Sequence, residues 1–299
     1  MNEAAPLVSI IIPTYKSRMT LGWALRSVLR QEVEDFEVWV VGDGCIDGSE
    51  EVVCGFGDRR LRWMNLPSNS GSQSVPNNAG IARARGRYIA HLGHDDLWLP
   101  WHLRQLVRLI QDEDADFVHS MVAYYSPKGL MGIGGAPSHG RSYAYSRVVP
   151  SSWLYRREVV DACGPWDSPK KLSQPIDVDY VRRVDAAGKR IVAGEAVTVL
   201  KYPSSFWKAY ARTDGWPQEE PCRLIETDPD AVRQRIAVDM ARLLASEWRP
   251  LHGPRDLRRY LYEYLRDSLL APKPKGLEWL RHATFQYLRR RARKERGLE

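Results

Sequence analysis

The stretch Leu7-Val8-Ser9-Ile10-Ile11-Ile12-Pro13-Thr14-Tyr15 decides the fold. Its continuous β-branched run, stopped by Pro13, predicts a parallel strand buried on both faces. A helix follows, because Leu21, Ala24, Leu25, Val28 and Leu29 recur at helical spacing. Phe36–Val41 predicts a second strand that ends at Gly42-Asp43-Gly44, and a short helix is expected near Ser49–Val53. Leu61–Asn65 predicts a third strand, ended by Pro67, and Gly80–Arg85 falls in another helical stretch. Arg87–His91 reads as a strand that runs into Gly93-His94-Asp95-Asp96. Pro100 suits the first position of a helix carrying Leu103, Leu106, Val107 and Ile110 on one face. Asp116–Tyr125 reads as extended.

Strand–helix alternation over about the first 125 residues implies an α/β fold, a parallel, doubly wound sheet with helices on both faces. Ligands of such sheets sit outside the carboxyl ends of the strands. The polar clusters Thr14-Tyr15, Asp43 and His94-Asp95-Asp96 fall at those ends. Residues 126–150 change character and read as a Gly-, Ser- and Tyr-rich loop. Helices are expected at Arg156–Ala162 and near Asp177–Ala187, and strands at Ile191–Val192 and Ala196–Leu200. From about residue 228 the period is helical, with further helices expected from Pro254 and from about Gly276.

The chain has 299 residues, 43% of them apolar and 27% charged, which excludes a wholly disordered protein. Its formal net charge of +7 is local. Residues 281–299 hold seven Arg or Lys against two Glu. The rest is close to neutral, so no extended nucleic-acid-binding surface and no nucleic-acid partner is expected. Cys45, Cys54, Cys163 and Cys222 form no C-x-x-C pair. Without a secretory leader, reduced thiols and a cytoplasmic setting are the plain expectation. The longest apolar runs fall far below the ~20 residues needed to cross a bilayer.

Adjacent carboxylates such as Asp95 and Asp96 repel one another, and a hard divalent cation neutralises them. Two solvated turn residues would look the same in sequence. Asp43 between two glycines reads on its own as turn chemistry, while at the edge of a nucleotide crevice a carboxylate can also accept from a base or ribose.

Order and spacing add to this. The run Val8-Ser9-Ile10-Ile11-Ile12-Pro13-Thr14-Tyr15 resembles the opening of glycosyltransferase family 2, the inverting sugar transferases of GT-A fold. Leu25-Arg26-Ser27-Val28-Leu29-Arg30-Gln31 resembles that family's AL-x-SVL-x-Q helix. The segment Phe36–Ser49 is similar to FEVVVVDDGSTDGS. Asn78-Ala79-Gly80-Ile81 with Ala84–Ile89 is similar to N-x-GI…A-x-G-x-YI, and Leu92–Pro100 to LDSDDLWLP. The resemblance covers roughly residues 7–200, with the blocks in family order.

It implies a Rossmann-like, mixed and mostly parallel sheet with flanking helices, plus a C-terminal helical module. Residues 1–225 would form the GT-A domain, with a nucleotide-sugar-binding half at about 1–125 and an acceptor-binding half at about 126–225. Residues 226–299 would form the helical module. Pro13, Thr14, Tyr15, Asp43, Asn78, His94 and Asp95 would bind the donor, and Asp96 with Asp95 would hold Mn²⁺ or Mg²⁺. The metal would neutralise charge on the departing nucleoside diphosphate. Gly42 and Gly93 stand where the pattern has Asp, His94 where it has Ser, and Asn77 where an Arg often precedes Asn78.

An inverting transfer needs a base for the acceptor hydroxyl. Ile176-Asp177-Val178-Asp179-Tyr180-Val181-Arg182-Arg183, then Gly188, resembles the family's ED-x-D-x-x-x-R…G helix. That resemblance puts Asp177 at the catalytic position, with Asp179 as its near competitor. Ser151–Arg157 resembles the strand before that helix and makes Trp153 the candidate acceptor-binding residue. Lys201 is a candidate phosphate contact. The implied partners are a nucleotide-sugar donor and a glycan, glycolipid or other hydroxyl acceptor, in polysaccharide or glycoconjugate biosynthesis. The alternative is a non-catalytic nucleotide-sugar-binding or scaffold protein with a degenerate site. The basic segment 276–299 fits peripheral contact with the inner face of a membrane. It fits equally a solvated helix packed on the domain by its leucine face.

Overall fold

The computed structural model describes residues 4–135, 148–207, 209–212, 214–247 and 278–295. Nine strands among them form one sheet in the order β3-β2-β1-β4-β8-β6-β9-β5, with β7 paired to β6. The strands are β1 (Val8–Thr14), β2 (Phe36–Gly42), β3 (Leu61–Asn65), β4 (Tyr88–His91), β5 (Leu97–Trp98), β6 (Phe117–Ser126), β7 (Gly129–Gly134), β8 (Trp153–Arg156) and β9 (Ile191–Lys201). Pairing is parallel from β3 through β2 and β1 to β4, and again between β6 and β9. It is antiparallel where β8 joins β4 to β6, and at the β5–β9 and β6–β7 pairs.

All seven residues of β1 are buried, as a strand covered on both faces requires. Its alternate residues enter different cores. Val8, Ile10 and Ile12 pack with α1 (Arg18–Leu29) and α4 (His102–Asp112). Ile11 packs on the other face, which α3 (Ser74–Ile81), α5 (Glu158–Cys163) and α6 (Ile176–Ala186) cover. Gly80 permits that approach of α3, since a Cβ there would lie 2.7 Å from Ile11 Cγ2. Two further helices complete this part, α2 (Ser49–Gly55) and the single turn α7 (Ser204–Trp207).

Differences from the sequence expectations are local. The helix expected from Pro100 begins at His102. Residues 129–134, expected as loop, form β7, which supplies backbone partners to the outer end of β6. The two short strands expected at 191–200 are one strand, β9, whose pairing with β6 is irregular near Met121. The remaining loop residues 136–147 and the helix expected from Pro254 lie outside the described residues.

A third core lies under α8 (Glu219–Thr227) and the first half of α9 (Pro229–Glu247). There Cys222, Ile225, Val232 and Ile236 meet Trp23, Leu97, Trp101 and Leu200. The last described helix, α10 (Glu278–Glu295), returns to the sheet domain. Its Gln286 donates to the Pro169 and Leu172 carbonyls at 2.9 and 3.2 Å.

Candidate active site

A cavity of about 780 Å³ opens at the carboxyl ends of β1, β2 and β4, where ligands of such sheets sit. Its size falls within the ~300–1,000 Å³ of small-molecule sites.

Asp43 follows β2 and is buried. Its carboxylate accepts hydrogen bonds from Ser70 N at 2.9 Å and Ser70 Oγ at 3.0 Å. Burial raises its pKa, and the Ser70 bonds oppose that rise. The turn at 43–45 is braced from behind by Asn65, whose amide accepts from Cys45 N and donates to Cys45 O. At Gly42 a Cβ would lie 2.5 Å from Asn65 Oδ1 and 2.8 Å from Trp63. The space that an Asp side chain would need at position 42 is thus filled from β3.

Pro13, Thr14 and Tyr15 leave β1 along the cavity wall, with His94 and Asp95 beside them. His94 Nδ1 lies 3.0 Å from the Pro13 carbonyl and donates to it. That assignment leaves Nε2 as an acceptor, and Nε2 is buried without a partner among the described residues. Thr14 Oγ1 and both side-chain atoms of Asn77 are in the same condition. All three residues line the cavity. Buried polar atoms are rarely left unsatisfied, so these atoms can bond water or a polar ligand in the cavity.

The opposite wall carries Asp177 in the first turn of α6. Its neighbour Asp179 does not line the cavity. Arg183 Nε donates to Asp179 at 2.9 Å and Gln174 Nε2 at 3.2 Å. The two walls are stitched together behind the cavity. Asn78 donates to the Trp166 carbonyl at 2.9 Å and accepts from Trp166 N at 2.8 Å, while Ser74 Oγ donates to the Asp167 carbonyl.

Residues 9–163, just over half of the chain, match the sequence profile of Glycosyl transferase family 2. The chain belongs to that family. It is 32% identical over 139 residues to the putative teichuronic acid biosynthesis glycosyltransferase TuaG of Bacillus subtilis, covering 46% of this chain and 52% of that protein. It is 28% identical over 179 residues to the Escherichia coli UDP-Glc:alpha-D-GlcNAc-diphosphoundecaprenol beta-1,3-glucosyltransferase WfgD, covering 60% of this chain and 66% of that one. Other relatives are matched over about a third of their length. Among solved structures, S. aureus TarS 1-349 in complex with UDP-GlcNAc has the same fold, with a TM-score of 0.59 and 18% identity. That comparison covers 97% of this chain and 88% of TarS 1-349.

Two family-pattern residues stand differently from the sequence expectation. Asp96, expected to hold the metal, is fully buried and does not line the cavity. Its carboxylate accepts from Lys201 Nζ at 2.7 Å, from Ser151 Oγ and from Tyr202 N at 3.2 Å. Burial works against the Lys201 charge, yet Asp96 and Asp95 overcome it and hold the lysine pKa above its ordinary value. Asp96 therefore spends its charge inside the protein. Gly93 belongs to the same arrangement, because a Cβ there would lie 2.8 Å from Asp96 Oδ2 and 3.1 Å from Asp95 Oδ1. Trp153, expected to meet the acceptor, is fully buried beside Trp166 and Tyr180 at centroid distances of 5.5 and 6.0 Å. Strand β8 is central and covered on both faces, so a Trp on it enters the core. Asn78 acts as the clamp described above, and its neighbour Asn77 faces the cavity instead.

The divalent ion expected from the family fits this glycosyltransferase fold in one way. No trio of His, Cys, Asp or Glu forms a protein-only cage among the described residues. Asp95 does line the cavity. One carboxylate completed by ligand phosphates and water is an ordinary Mg²⁺ arrangement. The donor set thus suits an ion that enters with a diphosphate and rests on Asp95. Sequence reasoning missed Asn77, Tyr210, Arg289 and Arg293 as cavity residues. Asn77 left a signal in its place within the family pattern, before Asn78, and the last two in the helical spacing of Phe285, Arg289 and Arg293.

Proposed function

We propose that the protein transfers a sugar from a nucleoside-diphosphate sugar to an acceptor hydroxyl with inversion, in assembly of a surface polysaccharide or glycoconjugate. The observation that carries this reading is the shared cavity, with Thr14, Asp43 and Asp95 on one wall and Asp177 on the other. The relatives support the setting, since TuaG is named for teichuronic acid biosynthesis and WfgD for transfer from UDP-Glc. Residues 1–225 would be the catalytic unit and 226–299 an appended helical module.

Pro13, Thr14, Tyr15, Asp43, His94 and Asp95 hold the donor, with Asn77 supplying an amide. Asp177 accepts the proton of the acceptor hydroxyl as its oxygen bonds to the anomeric carbon. The bond from that carbon to the diphosphate breaks with its electron pair, and the nucleoside diphosphate departs. A Mn²⁺ or Mg²⁺ ion on Asp95 would supply charge neutralisation at the diphosphate. Asp177 serves better than Asp179 because Asp177 lines the cavity and Asp179 does not.

Incubation with a panel of nucleotide-sugars and Mn²⁺, with and without acceptor glycans, tests the proposal. The expected result is a product of inverted anomeric configuration, formed by the native chain and not by Asp177→Asn. Donor binding without turnover under every condition would favour the scaffold alternative.

A peripheral position at the inner face of a membrane belongs to the same proposal. Among the described residues no helix is long and apolar enough to cross a bilayer. The face of α10 turned from the cavity exposes Tyr287, Arg290, Arg291 and Lys294, chemistry suited to anionic headgroups. The chain is expected to sediment with vesicles containing phosphatidylglycerol and to lose this on deletion of 276–299. Equal sedimentation of the two would rule it out.

A further inference from the structure

We propose that Arg289 and Arg293 of α10 bind the diphosphate of the nucleotide donor, so that a helix far along the chain completes the donor site. This rests on the glycosyltransferase reading above. Phe285, Leu288, Arg289 and Arg293 all line the cavity. Phe285, Arg289 and Arg293 fall on one helical face, four residues apart, and Phe285 is buried.

The charge of the cavity argues for them. Without α10, its described walls present the carboxylates of Asp43, Asp95 and Asp177 against one ammonium, Lys201. That ammonium is already paired with Asp96 at 2.7 Å. Such a wall repels a diphosphate. The two guanidiniums of α10 restore balance on the cavity surface. Their placement points the same way. Arg289 Nη2 and Arg293 Nη1 both donate to the Gly71 carbonyl, at 3.3 and 3.1 Å. That shared contact brings the two guanidiniums together at one edge of the cavity, and like charges held close attract a dianion between them. The planar donor fork of Arg matches phosphate oxygens in pairs.

Gly71 connects this pair to the donor. It follows Ser70, which holds Asp43 through two hydrogen bonds. The arginines thus stand over the loop that positions the base-side carboxylate. Across the cavity lie the Asn77 amide, Thr14 Oγ1 and His94 Nε2, which have no partner among the described residues. A nucleoside diphosphate offers acceptors for the arginines and polar groups for these atoms together.

The test is calorimetric titration of the full chain, in the presence of Mn²⁺, with UDP, GDP, ADP and dTDP, and with the matching nucleosides. Arg289→Gln/Arg293→Gln is expected to weaken the tightest diphosphate by about 10- to 100-fold, the effect of losing charge-assisted hydrogen bonds. Its nucleoside should bind as before, which also reports an intact pocket. The salt dependence of diphosphate binding should become shallower in this variant. Arg289→Lys/Arg293→Lys, which keeps the charge, should retain most of that salt dependence. Unchanged diphosphate affinity in the glutamine variant overturns the proposal. So does an equal loss for nucleoside and diphosphate, because α10 would then only prop the loop at Gly71. A native chain that binds none of the four diphosphates instead refutes the donor reading itself.

Discussion

The inner wall of the cavity, from Pro13 to Asp95, hangs from the tips of β1, β2 and β4, strands buried on both faces. Its polar residues are fixed by direct hydrogen bonds, Asp43 by Ser70 and His94 by the Pro13 carbonyl, with Asp96 buried behind it and held by Lys201. The outer wall comes from the first turn of α6 and from α10, which reach the cavity from later in the chain. Helix α10 is anchored through the Gly71 and Pro169 backbone carbonyls. The inner wall is thus held from within the sheet, and the outer wall carries Asp177, Arg289 and Arg293. One wall is therefore built by the sheet itself, and the other by helices that pack on it from later in the chain.

The largest expected effect falls on the outer wall. Asp177→Asn should lower turnover by about 10²- to 10⁴-fold, the usual contribution of a positioned base. Nucleoside diphosphate affinity should change little, as calorimetry would show. Turnover near the native value would remove Asp177 from the chemistry and leave the outer wall without a base.

On the inner wall the effect should appear in stability. Lys201→Met strands the Asp96 carboxylate in a buried site, at a cost of about 3–5 kcal/mol. Chemical denaturation would report it, and Asp96→Asn added to Lys201→Met should recover part of the loss. Full native stability of the single variant would mean that the pair is not what holds this floor together.

A smaller effect sharpens the contrast through pH. Burial lowers the pKa of His91 and His102 from 6.5 to about 3, and burial outweighs the Ser120 carbonyl to bring His119 down to about 4. These imidazoles are neutral in the fold. Their contribution is therefore complete above the unfolded value of 6.5 and is lost as pH falls from there toward 3–4. Each of His91 and His102 should cost about 2 kcal/mol by pH 5. Replacing His102 with Gln should flatten the fall in melting temperature between pH 7 and 5. An unaltered slope would assign that acid sensitivity to other groups.

Much of the inner wall was legible in the sequence, for a local reason. A β-branched run ending in Pro13 defines β1, and Asp43 lies at a strand end wherever the sheet is parallel. Asp177 was legible through the family resemblance and its place at a helix start. What could not be read was direction. Asp95 and Asp96 are adjacent on a turn, and only the late-sequence Lys201 shows that one carboxylate turns inward. Trp153 was misread because the sequence does not show that β8 slips between β4 and β6. The place of α10 was illegible for a related reason. Its anchors at Gly71 and Pro169 lie more than a hundred residues upstream, and no local pattern encodes such a pairing.

The reciprocal bonds between Asn78 and Trp166 bear on how substrates enter. One side-chain amide both gives and takes a hydrogen bond with a single backbone residue, so prying α3 from that segment breaks both at once. The back of the cleft therefore behaves as a welded seam, and the route in and out runs past the front, where the arginine-bearing helix forms the doorpost.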